Sequence, residues 1–175
     1  QGKQPWITDK GNVLVYNGEI FNYQALVDQF NFTPKTTCDT ELLAFLLDKF
    51  GVDAVNHIDS MHAFAYYDTS NKTIILSRDH VGIKPLFYAE ISDGIIFGSE
   101  IKGMLDHVPN SRCIDELAAA CMSYSGNNVT RNTMFTNIKK VMPGETMMYS
   151  VAHKKFISHN RTVITPTSTS SLDLA

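Results

Sequence analysis

Two β-hairpins in succession, between Met61 and Gly98, constrain this fold more than any other feature of the chain. Met61-His62-Ala63-Phe64-Ala65-Tyr66-Tyr67-Asp68 reads as a strand, Thr69-Ser70-Asn71-Lys72 as a turn, and Thr73-Ile74-Ile75-Leu76-Ser77-Arg78 as the returning strand. Leu86-Phe87-Tyr88-Ala89, the turn Ser92-Asp93-Gly94 and Ile95-Ile96-Phe97-Gly98 repeat the pattern. Apolar and aromatic runs bounded by turn residues are the signature of hairpins. What precedes them is different. Residues 13–16 form a short apolar run that predicts a buried strand. Asn22 is a candidate N-cap for a helix to about residue 30, and Asp39 for a second helix over 40–50. In that second helix Leu42, Leu43, Phe45, Leu46 and Leu47 recur at helical spacing, and Gly51 suits its end. A third short helix is expected over 52–58, others over 100–105 and 114–123, and a late strand over 145–150 after the Pro143-Gly144 turn. Strand, helices and then hairpins predict a mixed α+β domain of stacked layers. The Ser/Thr-rich stretch 162–175 reads as a linker.

Composition narrows the function. A net charge of −3 argues against nucleic acid as the main partner. No apolar run approaches the ~18 residues of a membrane span. Three cysteines, Cys38, Cys113 and Cys121, cannot all pair, which fits a reducing, cytoplasmic setting. The sequons at Asn31, Asn71, Asn128 and Asn160 then carry no glycan. The histidines form no H-E-x-x-H pattern and there is no Cys-x-x-Cys, so no metal is expected. No G-x-S-x-G elbow is present.

The segment Asn17-Gly18-Glu19-Ile20-Phe21-Asn22-Tyr23 reads as a strand running into a polar loop that opens a helix. An Asn side-chain amide and a Gly backbone N–H at a strand end can both address the oxyanion formed when an amide is hydrolysed. On that pair alone a β-turn is the commoner meaning. Glu19 and Asp39 are acceptors suited to the α-ammonium group of an amino acid, and Asp39 suits a helix cap equally well. Arg78-Asp79-His80-Val81-Gly82-Ile83-Lys84-Pro85-Leu86 lacks a phosphate-cradling pattern and reads as a structural turn, with Arg78 and Asp79 anchoring neighbouring loops.

Together, the segments NGEIFNY, CDTELL, MHAFAYYD, RDHVGIKPLFY, GSEIK and I-x-x-V-x-PGE, in this order, resemble the class II glutamine amidotransferase domain at the N-terminal end of glutamine-dependent asparagine synthetases. Other branches, such as glucosamine-6-phosphate synthase and phosphoribosyl-pyrophosphate amidotransferase, share the RD-x-x-GI-x-PL and D-x-E cores. Glu19 and the strand around Phe64 favour the asparagine synthetase branch. The resemblance implies a four-layer αββα sandwich of the N-terminal nucleophile hydrolases, here truncated at its N-terminus. It implies hydrolysis of glutamine to glutamate and ammonia for asparagine biosynthesis. Asn17 and Gly18 then resemble the oxyanion hole, Asn17, Gly18 and Glu19 line the glutamine site, and Asp39 takes the substrate ammonium.

The family's nucleophile is a Cys at the mature N-terminus, and its α-amine, titrating near pH 8, is the base. This chain begins at Gln1, and none of its cysteines occupies a matching position. The expectation is a partial amidotransferase domain over residues 1–160 and a linker over 161–175, inactive by itself. It needs no cofactor. Its partners would be glutamine and its own synthetase domain, which would use ATP and Mg, with a homodimer compatible. The competing reading is a catalytically dead binding or scaffold domain.

Overall fold

The computed structural model describes residues 3–126 and 128–162. Two antiparallel sheets lie at its centre. The larger has six strands in the order β1-β2-β3-β4-β8-β9, where β1 is Trp6–Ile7, β2 Val13–Ile20, β3 Ser60–Asp68, β4 Thr73–Arg78, β8 Glu145–Ser150 and β9 Lys155–Arg161. The smaller runs β6-β5-β7, with β5 Phe87–Ile91, β6 Gly94–Gly98 and β7 Lys139–Lys140. The helices are α1 (Tyr23–Phe30), α2 (Asp39–Phe50) and α3 (Glu116–Ser125). No helix of the described residues is long and apolar enough to cross a membrane.

Period-two alternation in β3 builds the layers. Phe64 and Tyr66 point to one face and pack with Leu14 and Tyr16 of β2 and with Leu42, Leu43, Leu46 and Leu47 of α2. Ala63 and Ala65 point to the other and meet Leu76, Leu86, Tyr88, Val141 and Met147 between the sheets. Small residues there let the two sheets approach closely. Beyond the smaller sheet, Ala89 packs on Met104, Val108 and Ile138. Three apolar interfaces make four layers, so the expected sandwich is present. Each fully buried leucine of α2 contributes about 1.5–3 kcal/mol to it.

Several local expectations are corrected. β2 runs to Ile20, in antiparallel register with β3, so Asn17 faces Ala63 and Gly18 faces His62. Asn17-Gly18 is therefore mid-strand backbone and not a turn. Asn22 precedes α1 without capping it, because its side chain bonds His57 O at 2.9 Å and Asp59 N at 2.9 Å. Asp39 is the first residue of α2 and Cys38 the residue before it, so Asp39 is not the cap either. The expected helix over 52–58 is a 3-10 turn, Gly51–Asn56, and that over 100–105 shrinks to Ile101–Gly103. α3 begins at Glu116, where Asp115 accepts the Ala118 amide at 2.8 Å. The turn at Pro143-Gly144 is as expected, with Gly144 at φ +70° and a built-in Cβ only 2.2 Å from Thr162 O. β9 closes at Arg161, and residues 163–175, the bulk of the expected linker, lie outside the described residues.

Candidate active site

The end of β2 and the start of α2 enclose an open pocket of 390 Å³ lined by Gly18, Glu19, Ile20, Tyr23, Thr37 and Asp39. Three of the four residues singled out in the sequence meet there. The fourth, Asn17, lines a neighbouring groove of 390 Å³ between the sheets, with Val15, Ala63, Ala65, Leu86, Phe97 and Ser99. The split follows position along the strand: Asn17 lines the groove beside Val15 and Tyr16, whereas Gly18, Glu19 and Ile20 at the end of β2 line the Asp39 pocket.

The Asp39 carboxylate is held from one side. Its Oδ2 accepts the Tyr16 hydroxyl and the Ile20 amide, both at 3.2 Å. Among the described residues its Oδ1 meets only the Cys38 thiol, at 3.9 Å, and so keeps acceptor capacity for something in the pocket. The burial of Tyr16, reinforced by Asp39, pushes its phenol far above the ordinary tyrosine range, so it remains a donor. Tyr23, which also lines the pocket, is raised as well, by burial and then by Glu41 and Asp39. The pocket is thus acidic, which suits a cationic group.

Gly18 is required by close packing within the sheet. A Cβ on it would sit 2.2 Å from Met61 O and 2.7 Å from the Tyr16 ring. The crowding comes from the paired strand, not from a ligand.

Two contributors were missed in the sequence. Gln4 pairs with the edge of β2 through its side chain, donating to Tyr16 O and accepting from Tyr16 N, each at 2.7 Å. No local signal marks a glutamine that mimics a strand. Glu41, the second acid of CDTELL, is buried and binds Lys35 N at 2.9 Å, Thr36 N at 2.8 Å and the Thr36 hydroxyl at 2.7 Å. Its own desolvation opposes this, but those donors hold its carboxyl below the usual range. Its role is to fix the loop before α2, and the D-x-E spacing is the signal that pointed to it.

The loop over 78–86 is structural, as expected. Arg78 donates to Lys84 O, Val141 O and Gly82 O at 2.7, 2.9 and 2.7 Å. Asp79 accepts the Ile83 and Lys84 amides at 2.9 and 3.0 Å. Among the described residues no group of His, Cys, Asp or Glu stands together to hold a metal ion.

Residues 1–160 match the family described as glutamine amidotransferase domain. The chain belongs to this glutamine amidotransferase family. "Asparagine synthetase [glutamine-hydrolyzing] 3" of Bacillus subtilis is 31% identical over 156 residues, 85% of this chain and 25% of its own length. A second synthetase of that organism, numbered 2, is 40% identical over 108 residues, 61% of this chain and 14% of its own length. A putative asparagine synthetase of Methanocaldococcus jannaschii is 42% identical over 93 residues, covering 53% of this chain and 18% of that protein. The chain therefore spans no more than a quarter of these relatives. Among solved structures, the glutamine phosphoribosylpyrophosphate amidotransferase of B. subtilis aligns with a TM-score of 0.58 at 19% identity, over 90% of this chain and 31% of that chain. That likeness establishes a shared fold.

Proposed function

We propose that this amidotransferase domain binds glutamine in the Asp39 pocket and serves as the glutaminase part of a glutamine-hydrolysing asparagine synthase. The observation that carries the reading is the acidic pocket itself. Glu19 and Asp39, 20 residues apart in sequence, converge on one open space, and Asp39 keeps a carboxylate oxygen for it. Free glutamine carries an α-ammonium group that needs such an acceptor. The kinship with asparagine synthetases supports asparagine as the downstream product. In this reading Asn17 and Gly18 stabilise the oxyanion, Glu19 lines the site and Asp39 takes the ammonium. ATP and Mg belong to a synthetase domain that consumes the ammonia, in the cytoplasm.

The test is glutamine binding to this chain by calorimetry, with Asp39→Asn as the variant. An Asn oxygen still accepts from Ile20 N and Tyr16, but it offers no negative charge. A hydrogen bond to a charged group contributes roughly 1.5–3 kcal/mol, so affinity should fall about ten- to a hundredfold with the melting temperature preserved. Equal affinity for glutamine in both proteins would remove Asp39 from the site.

A further inference from the structure

A second cavity, of 540 Å³, is lined by Arg78, Gly82, Asn128, Val129, Lys140, Met142, Pro143 and Arg161. It shares no residue with the glutamine pocket. Its cations come from distant parts of the chain: Arg78 from the end of β4, Lys140 from β7 and Arg161 from the end of β9. None of the three lies within ion-pair distance of a carboxylate among the described residues, although the chain as a whole carries a charge of −3.

The nearest acids are already committed. Asp79 is buried and satisfied by backbone amides. Glu145 is taken by Arg131 at 2.6 Å, with His159 at 3.5 Å. The cations are also held in place. Three neutral backbone carbonyls orient the Arg78 guanidinium, and Asp79 acts on it through space without a direct ion pair. The Lys140 ammonium donates to Asn128 O, and Arg161 Nε donates to Pro143 O at 3.1 Å. Burial, and then repulsion from Arg78, push Lys140 below the ordinary lysine range. Like charges assembled in a recess, and costly to keep there, are what an anion would relieve.

We propose that this cavity is a binding site for a small phosphate-bearing anion. One carboxylate has too little charge for three converging cations. A phosphate dianion or pyrophosphate offers several oxygens to the Arg forks together with the Lys point charge. The volume leaves room for more than a single phosphate group.

Pyrophosphate is the probe, titrated into the complete chain by calorimetry near neutral pH and low salt. Saturable one-to-one binding is expected, weakening as salt rises. Lys140→Met should weaken it about tenfold or more, as one lost charge-assisted contact. Arg161→Gln, at an exposed position, should weaken it about threefold, as a solvent-screened contact, and it serves as the second variant because its removal leaves the core untouched. Melting temperatures verify that both variants fold. A nucleoside triphosphate in parallel shows whether the phosphate is carried on a larger molecule: tighter binding than pyrophosphate supports the site with a phosphorylated ligand, weaker binding supports it with the free anion. Absence of saturable binding, equal affinity in both variants, or citrate binding as tightly as pyrophosphate would overturn the assignment.

Discussion

Acidification should destabilise this domain in part through His62, whose share can be isolated. It lies 3% exposed on β3, its Nδ1 2.8 Å from the Ser60 hydroxyl and its Nε2 3.1 Å from Ser77, which continues at 2.8 Å to Thr146. Burial pushes its pKa from 6.5 down to about 4; nearby Asp79 opposes the fall and His80 adds to it. The neutral ring fits this hydrogen-bonded chain, whereas the protonated ring would be a charge in a desolvated place. In the unfolded chain His62 takes up its proton near pH 6.5, so below that value the unfolded state binds more protons than the folded one. Stability contributed by the neutral ring is therefore complete above pH 6.5 and is lost as the pH falls towards 4. At 1.36 kcal/mol for each pH unit, the loss is roughly 3 kcal/mol, a large share of a typical 5–15 kcal/mol domain stability. Urea unfolding between pH 7.5 and 4.5, on the natural chain and on His62→Gln, isolates the effect from other titrating groups. The stability advantage of the natural chain over the variant should shrink by about 2.5 kcal/mol across that range, which stops short of the folded-state pKa. Parallel pH curves for the two proteins would refute the reasoning and mean that the ring is solvated or already charged in the folded state.

Two further outcomes follow from the same contacts. Tyr16→Phe removes the hydroxyl that holds Asp39 Oδ2 while leaving the ring packed, so glutamine affinity should fall about tenfold with little change in melting temperature; calorimetry on both proteins checks it, and unchanged affinity would show that Ile20 N alone positions the carboxylate. Glu145→Ala strips the counter-charge from Arg131, bonded through both guanidinium nitrogens at 2.6 and 2.7 Å, and should cost about 3 kcal/mol in urea unfolding. That figure is the lower end for a broken buried pair, because Arg131 keeps a third of its side chain in water.

Much of the architecture was legible in the residues. The apolar and aromatic runs over residues 61–68 and 73–78 mark strands, and Thr69-Ser70-Asn71-Lys72 marks their turn, which Asp68 then fixes by accepting the Ser70 and Asn71 amides at 2.9 and 3.0 Å. The helical spacing of Leu42, Leu43, Leu46 and Leu47 dictates a buried face on α2. Periodicity is a local property, so local pattern suffices. The extent of β2 was hidden, because Asn-Gly is a turn dipeptide in isolation and becomes strand only when β3 offers a full register of partners. The same is true of Trp6–Ile7, which is a strand only because β2 lies beside it.

The candidate site divides along the same line. Asn17, Gly18, Glu19 and Asp39 were marked by residue type and by the order of motifs. Sequence alone therefore determined the alternation of strand and helix, the family and the polar groups available to it. Only the tertiary structure decided that β8 pairs with β4, 67 positions from Glu145 at the Arg78 end, so that the hairpins divide between two sheets. It alone decided that Tyr16 reaches across 23 residues to fix one oxygen of Asp39, and that Arg78, Lys140 and Arg161 surround one cavity. Pairing between distant segments is selected by the total burial of both faces of each sheet, a quantity that no window of the chain contains.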